Sequence, residues 1–245
     1  MAIRILVNGA FGRMGLLSVK AIDADPHFEL VGQTGREYDL KKSIKDSDAQ
    51  VVLDFTHPDA VFNNTLAIIE VGAHPVIGTS GLTKEQVNHL QEKCAKLKLG
   101  GIIAPNFSLG AVLMIKYAKE IVNYLPDVEI IEMHHPDKID SPSGTARHTA
   151  EKLTEKWQKS LKKAEISPET LQGARGANYC GIPIHAIRLP GLLAHQQIIF
   201  GNNGETLTIR HDAINRECFM PGVCLACSRV MELDRLVYGL EEIVN

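Results

Sequence analysis

The chain has 245 residues, enough for one large domain or two smaller ones. With 44% hydrophobic and 22% charged residues it has the balance of an ordinary packed protein, which excludes intrinsic disorder and a disulfide-built mini-fold as its main character. A formal net charge of −3 gives no generic basic face for nucleic acid.

The first apolar run, MAIRILVN, stops at Asn8, too early for a signal peptide. No run of about 18 apolar residues predicts a membrane span. Residues 2–8 predict a buried strand, followed by a glycine-rich turn and a helix on the apolar spacing from Met14 to Ile22. Strands are expected at 28–33, 50–54, 74–78 and 101–104, with helices at about 59–71, stopped by Gly72, and 84–100. Strands that alternate with helices predict a parallel sheet with crossover helices, a Rossmann-like α/β organisation.

The pattern then changes. A helix over about 109–125 carries Met114, Tyr117 and Ile121 on one core stripe, and a strand follows at 128–134. A long helix is expected from Thr145 to about Lys163, then a loop at 167–181. Strands at 182–189, 194–200 and 205–212 have no helices between them and predict an antiparallel meander, with GNNG at 201–204 as a hairpin turn. A final helix covers about 219–233. The fold class is therefore an N-terminal α/β dinucleotide-binding domain and a C-terminal α+β domain with a mixed or antiparallel sheet. The boundary falls within 105–130 and is placed at 127, giving domains 1–127 and 128–215.

GAFGRMG places Gly9, Gly12 and Gly15 between a strand and a helix. Such glycines allow a tight turn, close approach of backbone to a pyrophosphate, and helix–strand packing. The helix start favours a diphosphate, and Arg13 adds a cation there. The G-x-x-G-x-x-G spacing also suits a turn that serves strand–helix geometry alone. At the tip of the second strand, where a carboxylate commonly meets the adenosine ribose, the chain reads Gly35-Arg36-Glu37. Arg36 can hold a 2′-phosphate through a bidentate contact, or be a solvated loop arginine.

In EMHHPDKIDSPSGTA, His134 ends a strand and Lys138 lies four residues on. Together they supply two proton donors of different charge. Ser141 or Ser143 can cap the helix that follows, and the N–H groups of Gly144 and Thr145 with the Thr145 hydroxyl form an anion site for a carboxylate. A capped helix after a polar loop accounts for the same residues. A metal reading of the paired histidines lacks a third ligand and would set Lys138 beside the ion.

At this point the motifs resemble a family. GAFGRMG at 9–15, DFTHPDA at 54–60, GTSG at 78–81, APNFSLGA at 104–111, EMHHPDKIDSPSGTA at 132–146, IHAIRLPGLLAHQQIIFG at 184–201 and the stretch around Arg216 resemble the 4-hydroxy-tetrahydrodipicolinate (dihydrodipicolinate) reductases of bacterial lysine and diaminopimelate synthesis. The resemblance implies that 216–245 returns to the first domain, and that the second domain binds substrate and forms a homotetramer. It implies NADH or NADPH as hydride donor. Gly9, Ala10, Phe11, Gly12, Arg13 and Met14 would hold the pyrophosphate. Gly78, Thr79 and Ser80, with Ala104, Pro105, Asn106 and Phe107, would lie by the cofactor, and Arg216 near its side. His134 would be the proton donor/acceptor and Lys138 the second donor. His135, Gly144 and Thr145 would bind a small dicarboxylate substrate. No metal, nucleic acid or membrane is implied, and the setting is cytoplasmic. Ser141 stands where the family more often has Ala, and Ser80 where it has Thr. Gly35 replaces an acidic residue of some members, which argues against strict NADH use.

Two other classes fit parts of the pattern. One is another nicotinamide-dependent oxidoreductase of amino-acid metabolism, of the aspartate-semialdehyde or homoserine dehydrogenase type. The semialdehyde type needs a nucleophilic cysteine, and none of the five cysteines (Cys94, Cys180, Cys218, Cys224, Cys227) sits in such a motif. Their irregular spacing offers no disulfide framework and fits a reducing compartment. The other class is a non-catalytic dinucleotide-sensing module, against which the His134/Lys138 pair speaks. Cys224 and Cys227 fit core packing in an apolar helix. His195 reads as a structural hydrogen-bonding residue, and His27, His57, His74, His89 and His148 as surface or capping residues.

Overall fold

The computed structural model describes residues 1–156 and 169–244. β1 (Ile3–Asn8) turns through the glycine segment into α1 (Arg13–Ala24), and β2 (Phe28–Thr34) leads to α2 (Leu40–Ser47). β3 (Val51–Asp54), α3 (Pro58–Glu70), β4 (His74–Ile77), α4 (Lys84–Leu97) and β5 (Gly101–Ile103) complete the alternating run. The sequence expectation lacks α2, whose LKKSIKDS buries only Ile44. It forms because Asp39 caps it, accepting from the Lys42 N–H at 3.1 Å. α4 stops at Lys98, in the left-handed region at φ 50°, two residues before the expected glycine. Gly100 serves close packing instead: a Cβ there would lie 2.0 Å from the Val230 carbonyl oxygen.

After β5 come α5 (Leu109–Ile121), β6 (Asp127–His134), α6 (Gly144–Lys156), β7 (Ala177–Tyr179), β8 (Ile182–Arg188), β9 (Ala194–Asn202) and β10 (Glu205–Ala213). The chain closes with a 3-10 turn at Arg216–Phe219, α7 (Met220–Arg229), a second 3-10 turn at Val230–Glu232, and β11 (Leu236–Tyr238). The single long helix expected over 219–233 is thus three shorter pieces. The part of the expected 145–163 helix beyond Lys156, and the start of the 167–181 loop, lie outside the described residues.

The chain divides into two compact units, Met1–Leu109 with Arg216 onward, and Gly110–Asn215. The first unit carries a six-stranded sheet in the order β11-β5-β4-β3-β1-β2, parallel throughout. Its inner strands β1, β3, β4 and β5 are near-continuous runs buried on both faces, as crossover helices require, while the edge strand β2 exposes Glu29 and Gln33. Leu6, Val52, Ile77 and Ile103 from the sheet join Ile68, Leu90 and Cys94 from α3 and α4 in one core. The strand order reverses between β1 and β3, the crevice where such sheets bind ligands.

The second unit carries a five-stranded sheet in the order β10-β9-β6-β8-β7. The α/β plus α+β fold class therefore stands. The expected meander does not: β6 lies between β8 and β9, parallel to β8 and antiparallel to β9. Leu189 N–H bonds the His134 carbonyl at 3.1 Å as the chain leaves β8 past the end of β6. The 201–204 hairpin forms as expected, with Asn202 opposite Glu205 and Gly204 at φ 85°. Met114, Ile115, Ala118 and Val122 pack with Ile130, Leu153, Ile184, Ile198 and Phe200. This packing places 110–127 in the second unit, where the sequence expectation of a boundary at 127 had it in the first. Tyr117 is not in the stripe; it is 56% exposed. On the opposite face of the sheet Ile131, Met133, Ile187 and Ile199 are only partly buried or exposed.

Candidate active site

In the first unit the glycine turn sits at the carboxyl ends of β1 and β3. Gly9 has φ +80°, and a Cβ on it would meet the Phe55 carbonyl oxygen at 2.3 Å. A Cβ on Gly15 would lie 2.1 Å from the Gly9 carbonyl oxygen, so this glycine lets α1 pack against the turn. Gly12 differs: nothing lies nearer than 3.5 Å, and it is the N-cap of α1. No side chain caps that helix and no acidic residue stands in its first turn. Open space at Gly12 before an uncapped helix end fits the diphosphate of a dinucleotide. Phe11 and Arg13 are exposed beside it, Ala10 is buried and Met14 is half-buried. Arg36 is exposed in the turn after β2, where Gly35 approaches the Phe11 ring.

The loops after β4 and β5 carry the other residues assigned to the cofactor. A Cβ at Gly78 would lie 2.1 Å from the Phe55 ring and 2.8 Å from the Phe107 ring, so glycine is required there. Phe55 and Phe107 meet edge to face at 5.5 Å. Ala104 and Phe107 are buried, while Ser80 and Pro105 are exposed. Asn106 accepts from the Ser108 N–H at 2.8 Å, which shapes its loop. Arg216 is half-buried in the 3-10 turn that packs beside α1.

A buried carboxylate that sequence reading passed over organises this end of the sheet. Asp54 is fully buried and accepts from Asn8 Nδ2 (2.8 Å), Asn64 Nδ2 (3.1 Å), Thr56 Oγ1 (2.7 Å) and Thr79 Oγ1 (2.6 Å). These bonds tie the ends of β1 and β3 to α3 and to the loop carrying Thr79.

In the second unit the alternation of β6 puts Ile130, Glu132 and His134 on one face. Parallel register places Arg188 beside His134, and antiparallel register places Gln196 beside Glu132. Glu132 is fully buried, and four donors reach it: His134 Nδ1 at 2.5 Å, Arg188 Nη1 at 2.8 Å, Arg188 Nη2 at 2.7 Å, and the Ser143 N–H at 3.1 Å. Burial pushes the Glu132 carboxyl up, but the bonds and charges of His134 and Arg188 outweigh it and hold it below the usual carboxylate range.

From Arg188 the chain of contacts runs on to Lys138. Arg188 Nη2 donates to the Asp140 carbonyl at 2.7 Å, and Lys138 Nζ donates to Asp140 Oδ1 at 2.6 Å. The structure thus links His134 and Lys138 through Glu132, Arg188 and Asp140. Ser143 is the cap of α6, accepting from the Ala146 N–H at 3.2 Å. Gly144 N–H donates to the Asp140 side chain at 3.1 Å, so this helix end already holds one carboxylate. Thr145 is half-buried in the first turn of α6, and His135 is half-buried in the turn closed by Lys138 N–H to His135 carbonyl.

Glu132 had one sequence signal: a carboxylate two residues before the histidine on a strand shares its face. Arg188 and Asp54 stood in quoted motifs, but their roles did not show, because the partners that define them (Glu132 for Arg188, Asn8 and Thr79 for Asp54) are distant in sequence. Outside the site, His195 bonds Asp212 at 2.7 Å and the Leu193 N–H at 3.2 Å, and His57 caps α3. Cys94 and Cys227 are buried, and burial pushes both thiols up, Cys94 to about 11. No His/Cys/Asp/Glu group among the described residues has metal-site geometry, and no described helix is long and apolar enough to cross a membrane.

Residues 3–107 match the family described as Dihydrodipicolinate reductase, N-terminus, and residues 110–244 match Dihydrodipicolinate reductase, C-terminus. The chain belongs to the dihydrodipicolinate reductase family. A 4-hydroxy-tetrahydrodipicolinate reductase of Coxiella burnetii (strain Dugway 5J108-111) is 57% identical over 244 residues, covering 100% of both chains. The one from Legionella pneumophila (strain Paris) is 50% identical with the same coverage. A solved dipicolinate-bound dihydrodipicolinate reductase from Paenisporosarcina sp. TG-14 superposes with a TM-score of 0.91 at 43% identity, covering 100% of both chains. The resemblance drawn from the motifs is therefore shown. A dihydrodipicolinate reductase is a nicotinamide-dependent oxidoreductase with a small-molecule substrate, and the open, uncapped turn at Gly12 fits such a cofactor.

Proposed function

We propose that the chain reduces 4-hydroxy-tetrahydrodipicolinate to tetrahydrodipicolinate with loss of water, in lysine and diaminopimelate biosynthesis, using NADH or NADPH. The observation that carries this reading is the continuous contact of His134 and Lys138 through Glu132, Arg188 and Asp140, beside a helix N-terminus that accepts a carboxylate. The first unit is the dinucleotide-binding domain, with Gly9 to Met14, Arg36, Gly78 to Ser80, Ala104 to Phe107 and Arg216 lining the cofactor.

When bound, the nicotinamide supplies a hydride. Overall the substrate ring takes up one hydride and one proton and releases one water. The Lys138 ammonium attracts the dicarboxylate and assists departure of the hydroxyl, which leaves as water together with a proton from the neighbouring ring carbon, so the only net proton taken up is the one that follows the hydride. His134 delivers a proton to the anionic centre that develops in the ring. Thr145 and Gly144 hold a substrate carboxylate at the start of α6, with His135 alongside. These contacts accelerate the reaction to the extent that they strengthen as charge develops.

The chain acts as a cytoplasmic homotetramer. Partly exposed Ile131, Met133 and Ile187 on one face of the second sheet support self-association. The mass of the assembly by light scattering tests this; a monomer would refute it.

The activity is tested by generating the substrate with its upstream synthase and following oxidation of NADH and NADPH separately. Substrate-dependent oxidation is expected with both. Cofactor binding without oxidation would replace this reading with a dinucleotide-sensing module.

A further inference from the structure

We propose that Glu132 is a positioning residue for the reaction: it fixes the tautomer and orientation of the His134 ring and, through Arg188, the loop that carries Lys138. The inference rests on the reading of His134 and Lys138 as proton donors.

Glu132 is 0% exposed, and its two oxygens receive four hydrogen bonds. An ionised carboxylate has about four acceptor sites and no donor. Every one is taken, so the carboxylate has no freedom to turn. Because it can only accept, the proton between it and His134 belongs to Nδ1. With Nδ1–H held by Glu132, Nε2 is the atom left to exchange a proton with substrate: it carries the proton when the ring acts as donor, and the neutral ring left behind keeps its proton on Nδ1. Histidines that ligate metals are oriented by carboxylates in the same way, and loss of that partner typically costs about 10–100-fold in function.

The second arm acts on the loop. Arg188 lies flat against Glu132 through both terminal nitrogens and reaches the Asp140 carbonyl with one of them. Glu132 Oε1, which takes Arg188 Nη2, also holds the Ser143 N–H, while Oε2 takes Arg188 Nη1 and His134. The backbone between Lys138 and α6 is thereby pinned at Asp140 and at Ser143 by one buried carboxylate. A buried ion pair of this kind contributes little net stability compared with an apolar replacement. What it does contribute is geometry, at the two groups the chemistry needs.

A double-mutant cycle separates positioning from structure. Glu132→Gln leaves a single acceptor oxygen for Arg188, Ser143 and His134. It should lower kcat about 10–100-fold with the KM for NADH unchanged. In a His134→Ala background the same change should cost clearly less than in the wild type, because only its hold on the Lys138 loop remains. Equal losses in the two backgrounds would overturn the proposal. A second readout needs no turnover: the ¹⁵N spectrum of the His134 ring should show the neutral ring protonated on Nδ1, and Glu132→Gln should move proton density to Nε2. If Glu132→Gln fails to fold, Glu132→Asp serves in both measurements. A ring spectrum indifferent to either substitution would also overturn the proposal. Wild-type turnover in His134→Ala would instead strike down the proton-donor reading, and the spectrum would still decide whether Glu132 sets the tautomer.

Discussion

Lys138 Nζ lies 2.6 Å from Asp140 Oδ1, while the other oxygen of that carboxylate accepts from the Gly144 N–H at 3.1 Å. One carboxylate therefore engages both the expected proton donor and the helix end expected to bind substrate. Partial burial raises the Asp140 carboxyl, but the Lys138 bond and charge and the N–H groups around it outweigh that and hold it low. At the proposed site an incoming dicarboxylate would meet a cation and a helix terminus already arranged around an anion.

Lys138 should be more than a charge. Lys138→Arg keeps the cation but replaces a donor that can lose its proton with one that does not. Turnover is expected to fall about 10²–10⁴-fold while the KM for substrate changes far less. Steady-state kinetics check this, and a kcat close to wild type would show that charge alone suffices.

Thr145→Val removes a hydroxyl from the first turn of α6 at nearly constant volume. The KM for substrate should rise about 5–10-fold, the loss of one hydrogen bond to a charged group. NADH affinity, measured by fluorescence titration, should not move.

Gly12 and Gly15 should separate binding from folding. Gly15→Ala drives a methyl to 2.1 Å from the Gly9 oxygen and should cost about 1–3 kcal/mol of stability. Gly12→Ala has 3.5 Å of clearance and should cost less than about 1 kcal/mol. Its methyl instead enters the space facing the uncapped helix, weakening NADH about tenfold or more. Urea unfolding and cofactor titration on both variants give the comparison.

Arg36→Ala should weaken NADPH about 10–100-fold and leave NADH nearly unchanged, since only NADPH offers a 2′-phosphate for a charge-assisted contact. Equal losses for the two would return Arg36 to the solvated loop.

The depressed Glu132 carboxyl sets an acid limit. Its folded value lies below the ordinary 4.5, so the unfolded chain binds the proton first as pH falls. The stabilisation is complete above about pH 4.5 and disappears as pH drops through the folded value. Stability measured from pH 5 to pH 3 should therefore fall more steeply in the wild type than in Glu132→Gln.

Much of this was legible in the residues. The parallel sheet followed from alternating apolar runs, and the His134–Lys138 loop from donors spaced across a strand–helix junction. What escaped was long-range pairing. Nothing local to 182–189 distinguishes a neighbour of β9 from a parallel neighbour of β6, and that choice places Arg188 beside His134. β11 escaped for a similar reason: Leu236–Tyr238 is too short to show a period, and its strand identity comes from the open edge of β5. Asp54 looks like an ordinary strand-end acid until Asn8, Asn64 and Thr79 are folded around it.

The insertion of β6 between β8 and β9 also bears on how the protein comes apart. A strand with ladders on both sides offers no open edge from which to fray, whereas β10 and β7 form the margins of their sheet. Backbone amides of β6 should therefore be among the slowest in the chain to exchange with deuterium. His134 rides on that strand, so the proposed proton donor keeps its setting through the small, frequent openings that strip the margins.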